Sequence, residues 1–190
     1  MIKLNLGCRD RPFPTYINID IDPNNPYADV IDNAFELNTI EDNSVDLIEA
    51  IHMFEHLSYL EANQALSIWF KKLKKGGILR LAVPDIKKGA ALLLLTNNLN
   101  PVKTMFSGSQ RDQWDFHKST YTKESLMQKM VAASFINIQE WDWRTTWPHN
   151  YIDTYASTYW PPMRKNYLCN NGEEVDLGGI CISLNIEGTK

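Results

Sequence analysis

Residues 44–85 read SVDLIEAIHMFEHLSYLEANQALSIWFKKLKKGGILRLAVPD, and the alternation of periods inside this stretch decides the fold. Val45 to Ile51 is a short apolar run behind the turn-like EDNS at 41–44, which predicts a buried strand. From Ser58 the spacing becomes helical, with Leu60, Ala65, Leu66, Trp69, Phe70 and Leu73 on one face. Lys71, Lys72, Lys74 and Lys75 crowd the last turns and Gly76 lies just past them, predicting a helix with a favourable C-terminal charge and a glycine stop. Ile78 to Val83 then predicts a second strand, closed by Pro84 and Asp85. Strand, helix, strand in this order implies a right-handed parallel unit, hence an α/β domain.

Working outward toward the N-terminus, Ile2 to Leu6 and Tyr16 to Ile21 predict two more strands, with Ala28 to Ile31 a possible further one. Only about nine residues, including Pro12 and Pro14, separate the first two, where a parallel crossover usually takes about a dozen or more. The first connecting helix must therefore be very short or absent. Toward the C-terminus, residues 86–99 predict a helix, and 100–121 a long polar and aromatic loop holding Trp114, Asp115, Phe116, His117 and Lys118. Thr122 caps a predicted helix over Ser125 to Ala133, followed by a strand from Phe135 to Trp143. An aromatic insertion, 144–178, precedes a closing strand, Ile180 to Ile186. Within it Tyr151 and Tyr155, with Tyr159 beyond, would share one face of a helix, either packing the insertion on the sheet or stacking on a ligand.

The 190 residues are 44% hydrophobic and 22% charged, which fits one globular domain over 1–190 and excludes disorder, collagen and coiled coil. A formal charge of −4 and a pI near 5.6 argue against general attraction to nucleic acid, so a small-molecule partner is expected. The lysines of the 58–75 helix read as a solvated helix end or, alternatively, a nucleic-acid patch. Cys8, Cys169 and Cys181 form no CxxC, so neither a disulfide framework nor a cysteine zinc site is encoded, consistent with a reducing compartment. The longest apolar run, Ala90 to Leu95, is far below the roughly 20 residues that span a bilayer. A soluble, cytoplasmic protein is the expectation.

Polar residues fall at the carboxyl ends of successive strands: Gly7, Asp20, Asp32 and His52. In an open parallel sheet these ends line one crevice, where ligands bind. A carboxylate at Asp20 can accept both hydroxyls of a ribose, and Asp32 with the backbone amide of Asn33 can reach an adenine edge. LGCRDR lacks GxGxxG, so a dinucleotide site, and with it a nicotinamide oxidoreductase, is not supported.

LNLGC at 4–8, INIDI at 17–21, ADVI followed by Asp32, SVDLIEAIHMFEHL at 44–57 and LKKGGILRLAVPD at 73–85 resemble the class I S-adenosylmethionine-dependent methyltransferases. QRDQWDFHKSTYT at 110–122 is similar to small bacterial predicted methyltransferases of the type 11-like group. The resemblance implies a Rossmann-like, mostly parallel seven-stranded sheet with helices on both faces and one antiparallel strand near the C-terminus. It implies S-adenosylmethionine as cofactor, its methionine part near Asn5, Gly7 and Cys8, its ribose on Asp20, its adenine beside Asp32 and Asn33, and Ile51 and His52 under the sulfonium. Arg9 departs from the pattern by standing where the group has a second glycine. It either pairs with a carboxylate of cofactor or substrate or points into solvent.

Methyl transfer needs alignment of the acceptor and exclusion of water, with a general base only where the acceptor sheds a proton. His52 and His117 are the candidate catalytic bases, and the alternative for each is a hydrogen-bonded structural histidine. HMFEH at 52–56 also matches the HxxEH zinc-protease letters, but an apolar strand precedes His52 where that reading needs a helix, so no metal is expected. Three functions are thus weighed: methyl transfer to a small or sugar-like acceptor, a non-catalytic cofactor- or partner-binding module, and, remotely, a zinc hydrolase. The oligomeric state is left open by the residues.

Overall fold

The computed structural model describes residues 1–100, 102–152, 155–157, 159–160 and 180–190. Five strands come first in the sheet: β1 (Lys3–Leu6), β2 (Ile17–Asp20), β3 (Val30–Ile31), β4 (Val45–Ile51) and β5 (Leu73–Pro84). A 3-10 turn, Phe54–His56, and helix α1 (Tyr59–Lys72) join β4 to β5. Helices α2 (Ile86–Thr96), α3 (Lys103–Ser107) and α4 (Lys123–Ala132) precede β6 (Ile136–Glu140). After the short pair β7 (Tyr159–Trp160) and β8 (Ile180–Cys181), β9 (Ser183–Thr189) closes the chain. The seven-stranded sheet has the order β3-β2-β1-β4-β5-β9-β6, parallel except for β9, which runs antiparallel to β5 and β6.

The helix boundaries follow from capping. Ser58 and Glu61 form a capping box at the start of α1, and Thr122 and Ser125 do the same for α4. One apolar stripe of α1, including Ala62, Ala65, Leu66 and Trp69, meets Leu126 and Met130 of α4 over Leu4, Leu6, Ile19, Ile48, Leu79 and Ile186 of the sheet. The opposite sheet face is covered differently. Residues 7–16 make no helix, as ten residues with two prolines dictate, and Phe13 and Tyr16 join Ile51, Ala82, Trp141, Trp143 and Ala156 in a second cluster.

Several boundaries depart from the pattern-based reading, and the segment 100–121, expected as a loop, contains the short helix α3 (Lys103–Ser107). α1 stops at Lys72 because Leu73, fully buried, pairs with Val45 as sheet. The register then jumps to Ile78 opposite Leu47, so Lys74–Gly77 bulge from β5 instead of ending the helix, with Gly76 at φ +80. Two of the lysines pair with carboxylates at and before the start of β4, Lys72 Nζ with Asp42 at 2.9 Å and Lys74 Nζ with Asp46 at 3.0 Å. β6 ends at Glu140, and the next residue, Trp141, turns its indole Nε1 to donate to the Leu81 carbonyl at 3.0 Å. Tyr151 is exposed and Tyr155 sits in a 3-10 turn, so these two do not share a helix face, while most of the 144–178 insertion lies outside the described residues.

Candidate active site

The site is built on the loop after β1. Gly7 and Cys8 both donate their backbone N–H to the Ile19 carbonyl, which draws the loop against β2. Gly7 adopts φ +66, and a Cβ there would lie 2.5 Å from Met53 Cγ, so only glycine serves. Arg9 follows at φ +43, a left-handed conformation of the kind glycine takes. Its N–H donates to Asp20 Oδ2 at 2.7 Å, while Asp22 N–H donates to Oδ1 at 3.0 Å. Two backbone donors, with the Cys8 thiol at 3.9 Å from Oδ2, therefore fix the carboxylate at the end of β2, and Oδ1 keeps a further lone pair.

These residues border a cleft of about 510 Å³ whose walls include Gly7, Asp20, Asn33, Phe35, His52 and Trp114. A second cavity of about 210 Å³ adjoins it, and Arg9, His52, His56 and Arg111 line both. Loop 108–118 forms the outer wall. Arg9 pairs with Asp112 and, at 3.6 Å, with Asp115, while Arg111 Nε donates to Asp115 at 2.8 Å. The carboxylates that meet Arg9 here are the chain's own, so its side chain is turned to loop 108–118 and not simply into solvent. Burial raises the Asp115 carboxyl, but Arg111 and Arg9 outweigh it and hold the group below the ordinary carboxylate range.

The expected site residues separate into two groups. Gly7, Asp20, Asn33 and His52 line the larger cleft, and His117 lines the smaller cavity. Asn5, Cys8, Asp32 and Ile51 stand behind the walls. Asn5 Nδ2 donates to the Arg11 carbonyl and to Asn18 Oδ1, and Ile51 packs in the second cluster. Asp32 accepts from Asn33 N, Thr39 N and Thr39 Oγ1, so both its carboxylate and the Asn33 amide are engaged in closing a turn. Burial, with Asp20 and Asp29 nearby, pushes the Cys8 thiol up to about 12, leaving it protonated and non-nucleophilic.

His52 adopts φ +51 at the end of β4, where its N–H donates to the Ala82 carbonyl. Its Nε2 meets Ser183 Oγ at 3.0 Å, and its Nδ1 lies 3.3 Å from Glu55 Oε1 without the direction of a hydrogen bond. Glu55 and His56 follow in the 3-10 turn, and the Glu55 carbonyl accepts from Lys118 N and Ser119 N, which zips the distant loop onto this turn. That places His117 Nε2 3.8 Å from Glu55 Oε1 and sets the His117 and His56 rings edge to face at 4.8 Å. Burial raises the Glu55 carboxyl, yet His52, His56 and His117 together bring it below its ordinary value. Burial lowers the His56 imidazole. In the sequence Glu55 and His56 are only letters of the HxxEH pattern. Their meeting with His117 bridges sixty residues of chain and had no local signal.

No protein-family model matches the chain, and no curated protein matches it in sequence. Solved structures do share its fold. A Thermotoga maritima protein described as a SAM-dependent methyltransferase, possible histamine N-methyltransferase, superposes with TM-score 0.58 at 16% identity over 100% of this chain and 82% of its own. A SAM-dependent methyltransferase from Archaeoglobus fulgidus gives 0.57 at 16% over 99% and 85%. One from Methanosarcina mazei gives 0.54 at 14% over 98% and 91%. The fold is that of the class I S-adenosylmethionine-dependent methyltransferases.

Proposed function

We propose that the protein transfers a methyl group from S-adenosylmethionine to a small acceptor. The observation that carries this reading is the pair of adjoining cavities at the carboxyl ends of β1, β2 and β4, joined at His52. The larger cleft falls in the roughly 300–1,000 Å³ range of small-ligand sites, and Asp20 on its wall keeps acceptor capacity on Oδ1 for a ribose diol. The residues therefore fit the cofactor, which when bound supplies an electrophilic methyl on sulfur.

In this reading Asp20 accepts the two ribose hydroxyls, the Gly7 turn carries the amino-acid end, and Asn33 and Phe35 flank the base. The smaller cavity takes the acceptor, and His52, on the shared wall, stands next to the reacting groups. Loop 108–118, held by Arg9, excludes water from them. His52 serves as the base when the acceptor sheds a proton.

Calorimetric titration with S-adenosylmethionine and with its demethylated product tests the reading. Binding in the micromolar range is expected, and Asp20→Ala should weaken it at least about tenfold, or about 1.4 kcal/mol. Unchanged affinity in that variant would remove the assignment. Tight binding with no methyl transfer to any small-molecule fraction would instead favour a non-catalytic module.

A further inference from the structure

Glu55 is 1% exposed, yet neither carboxylate oxygen has a hydrogen-bond partner among the described residues. A buried carboxylate left in this state is costly unless a cation or a proton donor meets it. Three imidazoles face it, and the nearest, His52 Nδ1, lies 3.3 Å from Oε1 without the direction of a hydrogen bond. His56 Nδ1 lies 3.1 Å from the Phe116 carbonyl and His117 Nδ1 lies 3.0 Å from the Met105 carbonyl. A carbonyl only accepts, so each Nδ1 carries the proton, and in the neutral ring each Nε2 presents a lone pair. At least one of these, on His117, is then aimed toward an anionic oxygen at 3.8 Å, too far for a hydrogen bond and repulsive without positive charge between them.

One ligand atom from each of Glu55, His56 and His117 can be chosen so that all lie within 4.8 Å of one another. Histidines that bind metals through Nε2 commonly donate Nδ1–H to a backbone carbonyl, which fixes ring and tautomer as seen at both positions. Two imidazoles and a carboxylate suit borderline transition ions and suit magnesium poorly. The set differs from an HxxEH helix site, because the three ligand atoms that converge come from Glu55, His56 and His117, without His52, and the third is supplied by loop 108–118.

We propose that Glu55, His56 and His117 form a binding site for a divalent transition-metal ion on the wall of the smaller cavity. This site was not expected from the sequence. Its three ligands line that cavity, so the ion's open coordination positions face the space assigned to the acceptor. Its role, though not its existence, rests on the methyl-transfer reading. An acceptor hydroxyl bound to the ion would lose its proton to His52 or water at a lower pKa. The oxygen lone pair would then form the O–CH3 bond as the C–S bond breaks, its electron pair returning to sulfur to leave the thioether product. His117 is in that case a ligand and not a base.

The test uses the full chain, freed of metal by chelation and titrated separately with Zn2+, Co2+ and Mg2+ in the absence of cofactor. One Zn2+ or Co2+ per chain at micromolar affinity or better is expected, with Mg2+ far weaker, and the 15N resonances of His56 and His117 Nε2 should shift on Zn2+ addition. His117→Gln should lose no less than the roughly 10–100-fold in affinity that removing an outer partner of a metal ligand costs. His56→Gln gives the same reading should the first variant fail to fold, with far-UV circular dichroism as the check. Absence of Zn2+ and Co2+ binding in the wild-type chain, or equal affinity in folded variants, overturns the proposal. Because no cofactor is present, that failure leaves the S-adenosylmethionine reading standing, and loss of cofactor binding in Asp20→Ala leaves the metal site standing.

Discussion

The two faces of the sheet bury their residues by opposite means. Beneath α1 and α4 the strands present aliphatic side chains to apolar helix stripes, and the helices satisfy their own backbone groups. Across the sheet, where segments 7–16 and 141–152 lie in place of helices, the same strands present Asn5, Asn18, Glu49 and Arg80. A loop lying on a sheet brings backbone groups with no internal partner, and buried backbone groups need one. The asparagines supply it: Asn5 donates to the Arg11 carbonyl, Asn18 accepts from Phe13 N and donates to the Phe13 carbonyl, and Asn185 donates to the Ala156 carbonyl. Glu49, fully buried, is held by Arg80 at 2.5 Å and His149 at 3.1 Å. The lesson is that a missing crossover helix is matched by polar residues in the strands beneath it.

This contrast can be broken at its strongest points first. Trp69→Ala on the helical face should cost about 4 kcal/mol through cavity formation. Glu49→Ala on the loop face should cost about 3 kcal/mol by removing the buried carboxylate that Arg80 and His149 share, leaving Arg80 with Glu187 as its ion pair. Urea denaturation measures both, and a loss below about 1 kcal/mol for Glu49→Ala would mean that the polar face is merely tolerated. Neighbours in β2 sharpen the point: Asn18→Leu should lose about 2 kcal/mol by orphaning loop backbone groups, against about 1 for Ile19→Val on the other face. Ser58→Ala, which removes the side-chain cap of α1, should lower stability by about 1 kcal/mol.

The smallest effect is local. Because Arg111 and Arg9 depress the Asp115 carboxyl, its contribution to closing loop 108–118 is complete above the unfolded value of about 3.9 and is lost as pH falls through the lower folded value. Hydrogen exchange of that loop should therefore be insensitive to Asp115 between neutral pH and about 4, after correction for the intrinsic rate, and rise below it. Asp115→Asn should show the faster, uncorrelated exchange already at neutral pH.

Much of the fold was legible because it is written in local periods. The 45–51 and 78–83 runs, the Ser58 cap, the Thr122 cap and the short first crossover each depend on residues within a few positions of one another. That Gly7 and Asp20 border the crevice was legible for the same reason, since strand ends announce themselves. The engagement of Asp32 was not legible, because a strand-end carboxylate reads alike whether it faces the crevice or closes its own turn on Thr39. Lys74–Gly77 were misassigned because a glycine behind lysines is a helix stop only when the preceding residue is free of the sheet, and Leu73 is not.

By itself the sequence determined the alternation of strands and capped helices, the absent first crossover and the crevice at the strand ends, all set by short-range periodicity and by how far a chain of given length reaches. Only the tertiary structure decided that Arg9 grips Asp112 and Asp115, that the Asp32 carboxylate closes a turn on Thr39, and that His117 arrives beside Glu55 and His56. Those meetings depend on which way side chains project once distant segments are packed, and for a carboxylate or an imidazole that direction is fixed by its hydrogen-bond partners, which no neighbouring residue in the chain names.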